Sequence, residues 1–171
     1  MSTLVIHPKD ATTDFLSDIY KDKGWSVITG NISKSQLKRE IKSHDRIIML
    51  GHGSDIGLYD ISRKRVIISS ELVYLLRDKD CVGIWCNANK FFEKYNLTGF
   101  YTGMIISELE ESYLYNISGV SIDLIEESNK LFAYAIKESI DLVDIVESVK
   151  NIYIGSNGII SFNKENLFYK K

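Results

Sequence analysis

The stretch Ile-Ile-Met-Leu-Gly-His-Gly at positions 47–53 decides the fold class of this chain. Its first four residues are apolar without alternation, which is typical of a parallel strand buried on both faces, and Gly51 ends the run. Similar short apolar runs lie at 4–6, 25–28 and 82–85, and segments of helical periodicity separate them. This alternation of strands and helices predicts a three-layer α/β/α sandwich around a mainly parallel sheet.

The second half of the chain completes the predicted sandwich. Residues 103–106 are predicted to form the fifth strand, and 107–121 a polar, acidic loop. Helical spacing of the apolar residues from 122 to 149 indicates two helices. A C-terminal hairpin is predicted over 152–162, because the Asn-Gly pair that begins at Asn157 favours a tight type I′ turn.

Composition and charge exclude several classes of protein. A length of 171 residues suits one domain of ordinary size, so we expect a single domain over 1–171. The hydrophobic fraction of 44% and the charged fraction of 26% are those of a folded globular chain. With 21 basic and 23 acidic residues the net charge is −2, and no basic stripe is present, so nucleic acid is not an expected partner.

Membrane insertion is not expected either. No apolar run approaches the ~20 residues that a membrane-spanning helix needs, and the N-terminus has no signal-peptide core. We therefore expect a cytoplasmic protein. Two cysteines cannot form a zinc site, and there is no Gly-x-Gly-x-x-Gly or Walker A motif, so neither a metal nor an organic cofactor is expected.

The position of each histidine and cysteine on the predicted sheet indicates whether it can belong to a site. Sites in α/β sheets form at the carboxyl ends of the strands, where His52 and Cys86 lie, whereas His44 and Cys81 lie at the opposite ends. If the two strands are neighbours, they are ~4.8 Å apart, and the imidazole can act as the base for a thiol nucleophile. The backbone amides of Gly53 and Cys86 are natural donors for an oxyanion.

These motifs together resemble the caspase-like cysteine peptidases, and among them most closely the bacterial CHAT domains. The resemblance rests on a strand that ends in His52 and glycine, a predicted hairpin over 57–68, a Ser-Glu-Leu helix start at 70–72 and a strand that ends in Cys86. It covers mainly residues 45–103. It implies a caspase/haemoglobinase-like sandwich in which His52 is the general base, Cys86 is the nucleophile, and a thioester forms without a metal or organic cofactor.

On this resemblance we predict a cysteine endopeptidase that acts on a protein or peptide substrate, with an activating protein partner as a further option. The alternative is a catalytically idle α/β interaction module of the same fold. No Lys or Arg lies between Ser107 and Asp123. Because a carboxylate binds Arg in a bidentate pair, Glu108 is predicted to bind substrate and to favour cleavage after Arg or Lys. Lining of the pocket by the basic residues 63–65 would reverse this preference.

Overall fold

The computed structural model describes all residues from 1 to 171 and contains nine strands in two sheets. The strands are β1 (Thr3–Ile6), β2 (Ser26–Ile28), β3 (Arg46–Leu50), β4 (Gly53–Ser54), β5 (Gly57–Asp60), β6 (Arg65–Ile68), β7 (Asp80–Ile84), β8 (Gly99–Thr102) and β9 (Leu167–Lys170). The helices are α1 (Lys34–Ser43), α2 (Val73–Leu76), α3 (Ala88–Tyr95), α4 (Leu109–Leu114), α5 (Ile122–Ser139), α6 (Ile145–Ile152) and α7 (Gly158–Glu165). Three further segments are 3₁₀ helices: Ala11–Ile19, Ile61–Arg63 and Ser70–Leu72.

The main sheet has six strands in the order β2-β1-β3-β7-β8-β9. All its neighbours pair in parallel except β9, which runs antiparallel to β8. The three-layer α/β/α sandwich around a mainly parallel sheet is thus confirmed. The predicted hairpin over 57–68 is also present, as the antiparallel pair β5 and β6, which belongs to a separate three-stranded sheet.

Strand β3 shows why the apolar pattern determines the fold. Ile47 and Met49 belong to the apolar cluster on one face of the sheet, and Ile48 and Leu50 to the cluster on the other. All four side chains are fully buried. Because successive residues of a strand point to opposite faces, only a strand covered on both sides requires an uninterrupted apolar run.

The prediction of the fifth strand at 103–106 is wrong. Counted along the chain, the fifth strand of the main sheet is β8, which lies four residues earlier. Two amides of the segment 103–106 bond to side chains and not to a neighbouring strand. The amide of Met104 donates to Asn166 Oδ1 at 3.2 Å, and the amide of Ile106 donates to Asn163 Oδ1 at 2.8 Å. The predicted acidic loop that follows contains α4.

The predicted C-terminal hairpin over 152–162 is also wrong. Asn157 is the N-cap of α7, and its Oδ1 accepts a hydrogen bond from the amide of Ile160 at 2.9 Å. Asparagine favours helix N-caps as well as tight turns, and Ile159 and Ile160 are both buried when the segment is helical. The last strand, β9, follows this helix and completes the sheet.

No helix of this chain combines the length and the apolar character that crossing a bilayer requires.

Candidate functional site

The order of the strands locates the most favourable position for a site. β1 lies between β2 and β3. The strand that follows β1 in the chain is therefore added on one side of it, and the next strand on the other side. In open α/β sheets, ligands bind beyond the carboxyl ends of the strands at such a switch point. His7 directly follows β1, and His52 lies two residues beyond β3. The candidate site is therefore the edge formed by the carboxyl ends of β1, β3 and β7.

His52 and Cys86 lie just beyond the carboxyl ends of β3 and β7, which are neighbouring strands. Leu50 of β3 pairs with Ile84 of β7, and each of the two residues lies two positions beyond this pair. Gly53 begins β4, and a Cβ atom on it would lie 2.2 Å from the ring of Trp85. The absence of a side chain at Gly53 therefore allows the chain to turn closely past this tryptophan.

His52 points towards the segment that follows β1. Its Nε2 lies 2.6 Å from Thr12 Oγ1, and the hydroxyl of Thr12 donates to Asp10 Oδ1 at 2.7 Å. The same His52 nitrogen lies 3.9 Å from Asp10 Oδ1 and 3.8 Å from Glu108 Oε1. No hydrogen bond joins His52 to Cys86.

Asp10 is held in place by the start of the 3₁₀ helix. It is the N-cap of that helix, and its Oδ1 also accepts a hydrogen bond from the amide of Thr12 at 2.9 Å. The hydrogen bond from the Thr12 side chain lowers the pKa of the Asp10 carboxyl below its usual value, against the opposing effect of partial burial. Asp10 is therefore a carboxylate at neutral pH.

Cys86 lies among acceptors and negative charges. Its Sγ is 3.6 Å from the carbonyl oxygen of Ile105 and 3.9 Å from Glu111 Oε1. Burial, followed by the nearby Glu111 carboxylate, raises the pKa of the Cys86 thiol to about 11. The thiol is therefore protonated at neutral pH, whereas a nucleophilic cysteine needs a lowered pKa.

Glu111 has a structural role that fixes its charge beside the thiol. Its Oε2 accepts hydrogen bonds from the amides of Ser107 and Glu108, at 2.7 and 3.0 Å, in a capping box at the start of α4. This arrangement brings Glu108 towards His52 from one side and Glu111 towards Cys86 from the other. The prediction of an acidic loop identified these carboxylates but not the helix that positions them.

Two spaces of different size adjoin these residues. A cavity of about 20 Å³ lies between His52 and Cys86, which is room for a single water molecule. An open cleft of about 370 Å³ lies on the other side of Thr12 and Glu108. It is lined by Thr12, Ser107, Glu108, Leu109, Glu110, Ile122, Ile125, Glu126 and Asn129. A larger cavity of about 450 Å³ runs along β2 and contains none of the site residues.

His7 is buried at the same edge and joins the 3₁₀ segment to β1. Its Nδ1 lies 3.0 Å from the hydroxyl of Tyr20, and its Nε2 lies 3.4 Å from Thr13 Oγ1. Burial lowers the pKa of His7, although the nearby Asp14 opposes this effect. His7 is therefore neutral at neutral pH, and its two contacts hold the segment that carries Thr12.

Comparison with known proteins returns no match to a family model and no match to a curated protein. Among solved structures, an NADPH-quinone reductase from P. pentosaceus is 14% identical, with a TM-score of 0.44 over 84% of this chain and 99% of that one. The structure of Smu.1420 from Streptococcus mutans UA159 is 11% identical, with a TM-score of 0.43 over 81% of this chain and 100% of that one.

The prediction of a caspase-like or CHAT-like cysteine endopeptidase is wrong. The comparisons with family models and curated proteins give it no support. The geometry supplies the physical reason: the thiol of Cys86 is partly buried beside the Glu111 carboxylate, and His52 bonds to Thr12. The idle interaction module depended on the same family assignment and has no support either.

The charges at this edge bear on the binding of polyanionic ligands such as dinucleotides. Phosphate groups bind where free backbone amides meet positive charge, most often just beyond the first strand of such a sheet. Here the amide of Thr12 is already bonded to the carboxylate of Asp10. Glu108 adds a second negative charge near His52. These residues do not fit a polyanionic cofactor.

Slow alkylation of Cys86 is the first expected result. With its pKa raised to about 11, the native thiol should react with iodoacetamide roughly a hundredfold more slowly at pH 8 than in urea-unfolded chain. Timed labelling followed by peptide mass spectrometry measures both rates. A Glu111→Gln variant removes the adjacent negative charge and should label several-fold faster. Equal rates in native and unfolded protein would contradict this description of the thiol.

Proposed function

We propose that this protein binds an organic cation, an ammonium or guanidinium group, in the open cleft beside His52. The observation that carries the proposal is the composition of the cleft at the carboxyl edge of the sheet. Its charged lining residues are Glu108, Glu110 and Glu126, and it has no lysine or arginine. Its volume of about 370 Å³ is within the range of small-molecule sites.

The cleft offers hydrogen-bond partners as well as charge. Ser107, Thr12 and Asn129 line it together with the carboxylates, and Ile122 and Ile125 supply an apolar wall. The Asn129 amide donates to the carbonyl oxygen of Ser107 at 2.9 Å, which links α5 to the segment before α4. A ligand with a cationic head and a short aliphatic stem matches this combination of groups.

Glu108 is the residue expected to contribute most to binding. Its side chain is 35% exposed and already lies 3.8 Å from His52 Nε2. A charge-assisted pair at a partly desolvated carboxylate is stronger than one at a more exposed residue such as Glu126. The sequence-based assignment of Glu108 to substrate binding is retained in this proposal, with a cationic ligand and without peptide cleavage.

Isothermal titration with N-acetyl-arginine amide and agmatine tests the proposal. The two probes share the guanidinium group, and comparison of their affinities separates a peptide-borne side chain from a free amine as the source of the cation. N-acetyl-citrulline amide is nearly isosteric but neutral, and it should not bind. We expect Glu108→Gln to weaken binding about tenfold, in line with the loss of one charge-assisted hydrogen bond.

Glu165→Gln provides the matched control, because Glu165 is exposed on α7 and does not line the cleft. This variant should bind the probes as the wild type does. Equal binding of the citrulline and arginine probes, or an unchanged affinity in Glu108→Gln, would exclude the cleft as a cation site.

A further inference from the structure

We propose that Thr12 and Asp10 are positioning residues that hold neutral His52 with its proton on Nε2, which leaves Nδ1 as the basic nitrogen of this ring. This proposal does not depend on the proposed cation site, because His52 does not line the cleft. The contact between Thr12 and His52 joins two segments that are 40 residues apart in sequence.

The direction of the hydrogen bonds follows from the number of available protons. The hydroxyl of Thr12 has one proton and two close partners, Asp10 Oδ1 at 2.7 Å and His52 Nε2 at 2.6 Å. A carboxylate can only accept, so the contact with Asp10 uses the Thr12 proton. The contact with His52 then requires that Nε2 carries a proton and donates it to Thr12 Oγ1.

The carboxylate cannot turn away to release the hydroxyl. Its Oδ1 accepts from the Thr12 amide as well as from the Thr12 side chain, and Asp10 is the N-cap of the 3₁₀ helix. That helix is in turn fixed to β1 by the contacts of His7 with Tyr20 and Thr13. The acceptor for the Thr12 hydroxyl is therefore built into the local backbone structure.

The consequence for His52 is a defined basic nitrogen. A neutral imidazole with its proton on Nε2 has an unprotonated Nδ1, and this atom has no hydrogen-bond partner in the protein. When Nδ1 takes a proton, its lone pair forms the new N–H bond, and the bonding electrons stay on the donor. The resulting imidazolium has two carboxylates near Nε2, those of Asp10 and Glu108.

His44 carries its proton on the other nitrogen and offers an internal contrast. Its Nδ1 lies 2.7 Å from the carbonyl oxygen of Glu40, which can only accept, so this nitrogen is the protonated one. Its Nε2 lies 3.0 Å from Ser26 Oγ and accepts the hydroxyl proton. One spectrum of the protein should thus contain two neutral histidines with opposite tautomers.

NMR of ¹⁵N-histidine-labelled protein at a pH where the imidazoles are neutral reads the tautomer of each ring directly. We expect His52 to be protonated on Nε2 and His44 on Nδ1. In Asp10→Ala the hydroxyl of Thr12 is released and turns to donate to His52 Nε2. The proton of His52 should then move mainly to Nδ1, from less than a tenth to more than half of the molecules.

A second variant keeps this test decisive. In the double variant Asp10→Ala/Thr12→Val the hydroxyl is absent, so the displacement of the proton to Nδ1 should disappear. Asp14→Ala is the matched control, because Asp14 is an exposed carboxylate in the same 3₁₀ segment and should leave the tautomer unchanged. Backbone amide spectra show whether each variant keeps the fold.

The proposal is overturned if wild-type His52 carries its proton on Nδ1, or if folded Asp10→Ala leaves the proton on Nε2. These measurements use no ligand, so their outcome is independent of the titrations with N-acetyl-arginine amide. A normal tautomer pattern together with no binding of the arginine probe would reject the cation site alone.

Discussion

A Trp85→Ala variant is expected to lose about 4 kcal/mol of the free energy of unfolding, the size typical for truncation of a large buried aromatic side chain. Trp85 is 2% exposed, and its ring packs against Phe91 and Phe92 with centroid distances of 5.8 and 5.9 Å. Its indole N–H donates to the carbonyl oxygen of Ser54 at 2.9 Å. The substitution therefore removes both packing and a partly buried hydrogen bond. Urea unfolding followed by circular dichroism measures the change.

Trp25→Ala is the natural control, because Trp25 is only partly buried at the margin of the other apolar cluster. Trp25→Ala should lose less than half as much free energy of unfolding as Trp85→Ala. Trp85→Phe retains an aromatic ring but not the indole donor, and we expect it to fall between the two. Similar losses from both tryptophan truncations would contradict the greater contribution expected of the buried Trp85.

The strands could be predicted from the sequence where burial on both faces of the sheet requires an uninterrupted run of apolar residues. β3 and β7 are covered on both faces, so their apolar runs identify them as parallel strands irrespective of the rest of the chain. The segment 103–106 is apolar too, but its amides bond to Asn163 and Asn166, about 60 residues later. No local pattern contains that information, and the apolar run was assigned to a strand.

The candidate site could be predicted as a location but not as a chemistry. Strand order brings His52 and Cys86 to one edge, and both positions follow from the rule for carboxyl ends. The reactivity of the thiol depends on Glu111, 25 residues away, whose carboxylate is fixed by the capping box of α4. Because that helix was predicted as a loop, the charge beside the thiol could not be anticipated.

The partners of His52 were missed for a related reason. Asp55, three residues after His52, is the acid closest to it in sequence. The acid that the structure provides is Asp10, acting through Thr12 from the segment after β1. A local signal was present, since Asp followed two residues later by Thr just after a buried strand is typical of a capped turn. The contact itself requires knowledge that β1 and β3 are neighbours.

Loss of Arg46 should cost about 2 kcal/mol of the free energy of unfolding. Arg46 is 8% exposed at the opposite edge of the sheet, where its Nε donates to Asp80 at 2.6 Å and its Nη1 to Asp141 at 2.7 Å. Breaking a fully buried ion pair costs about 3–5 kcal/mol, and the effect is smaller here because water can reach both carboxylates once Arg46→Ala removes their partner.

The loss of stability at acid pH provides a second measure of the ion pairs of Arg46 with Asp80 and Asp141. Partial burial would raise the pKa of Asp141, but the hydrogen bond from Arg46 and the nearby Lys23 outweigh it and hold the pKa below its usual value. The stabilisation is therefore complete above the unfolded-state pKa, about 3.9, and is lost as the pH falls through the lower folded-state pKa. Arg46→Ala should be less sensitive to this acidification than the wild type.

Arg39→Ala, which removes an exposed arginine 3.7 Å from Glu40, should change neither measure by more than about 0.5 kcal/mol. An equal effect of the two arginine substitutions would mean that the Arg46 cluster is a surface feature without a stabilising role.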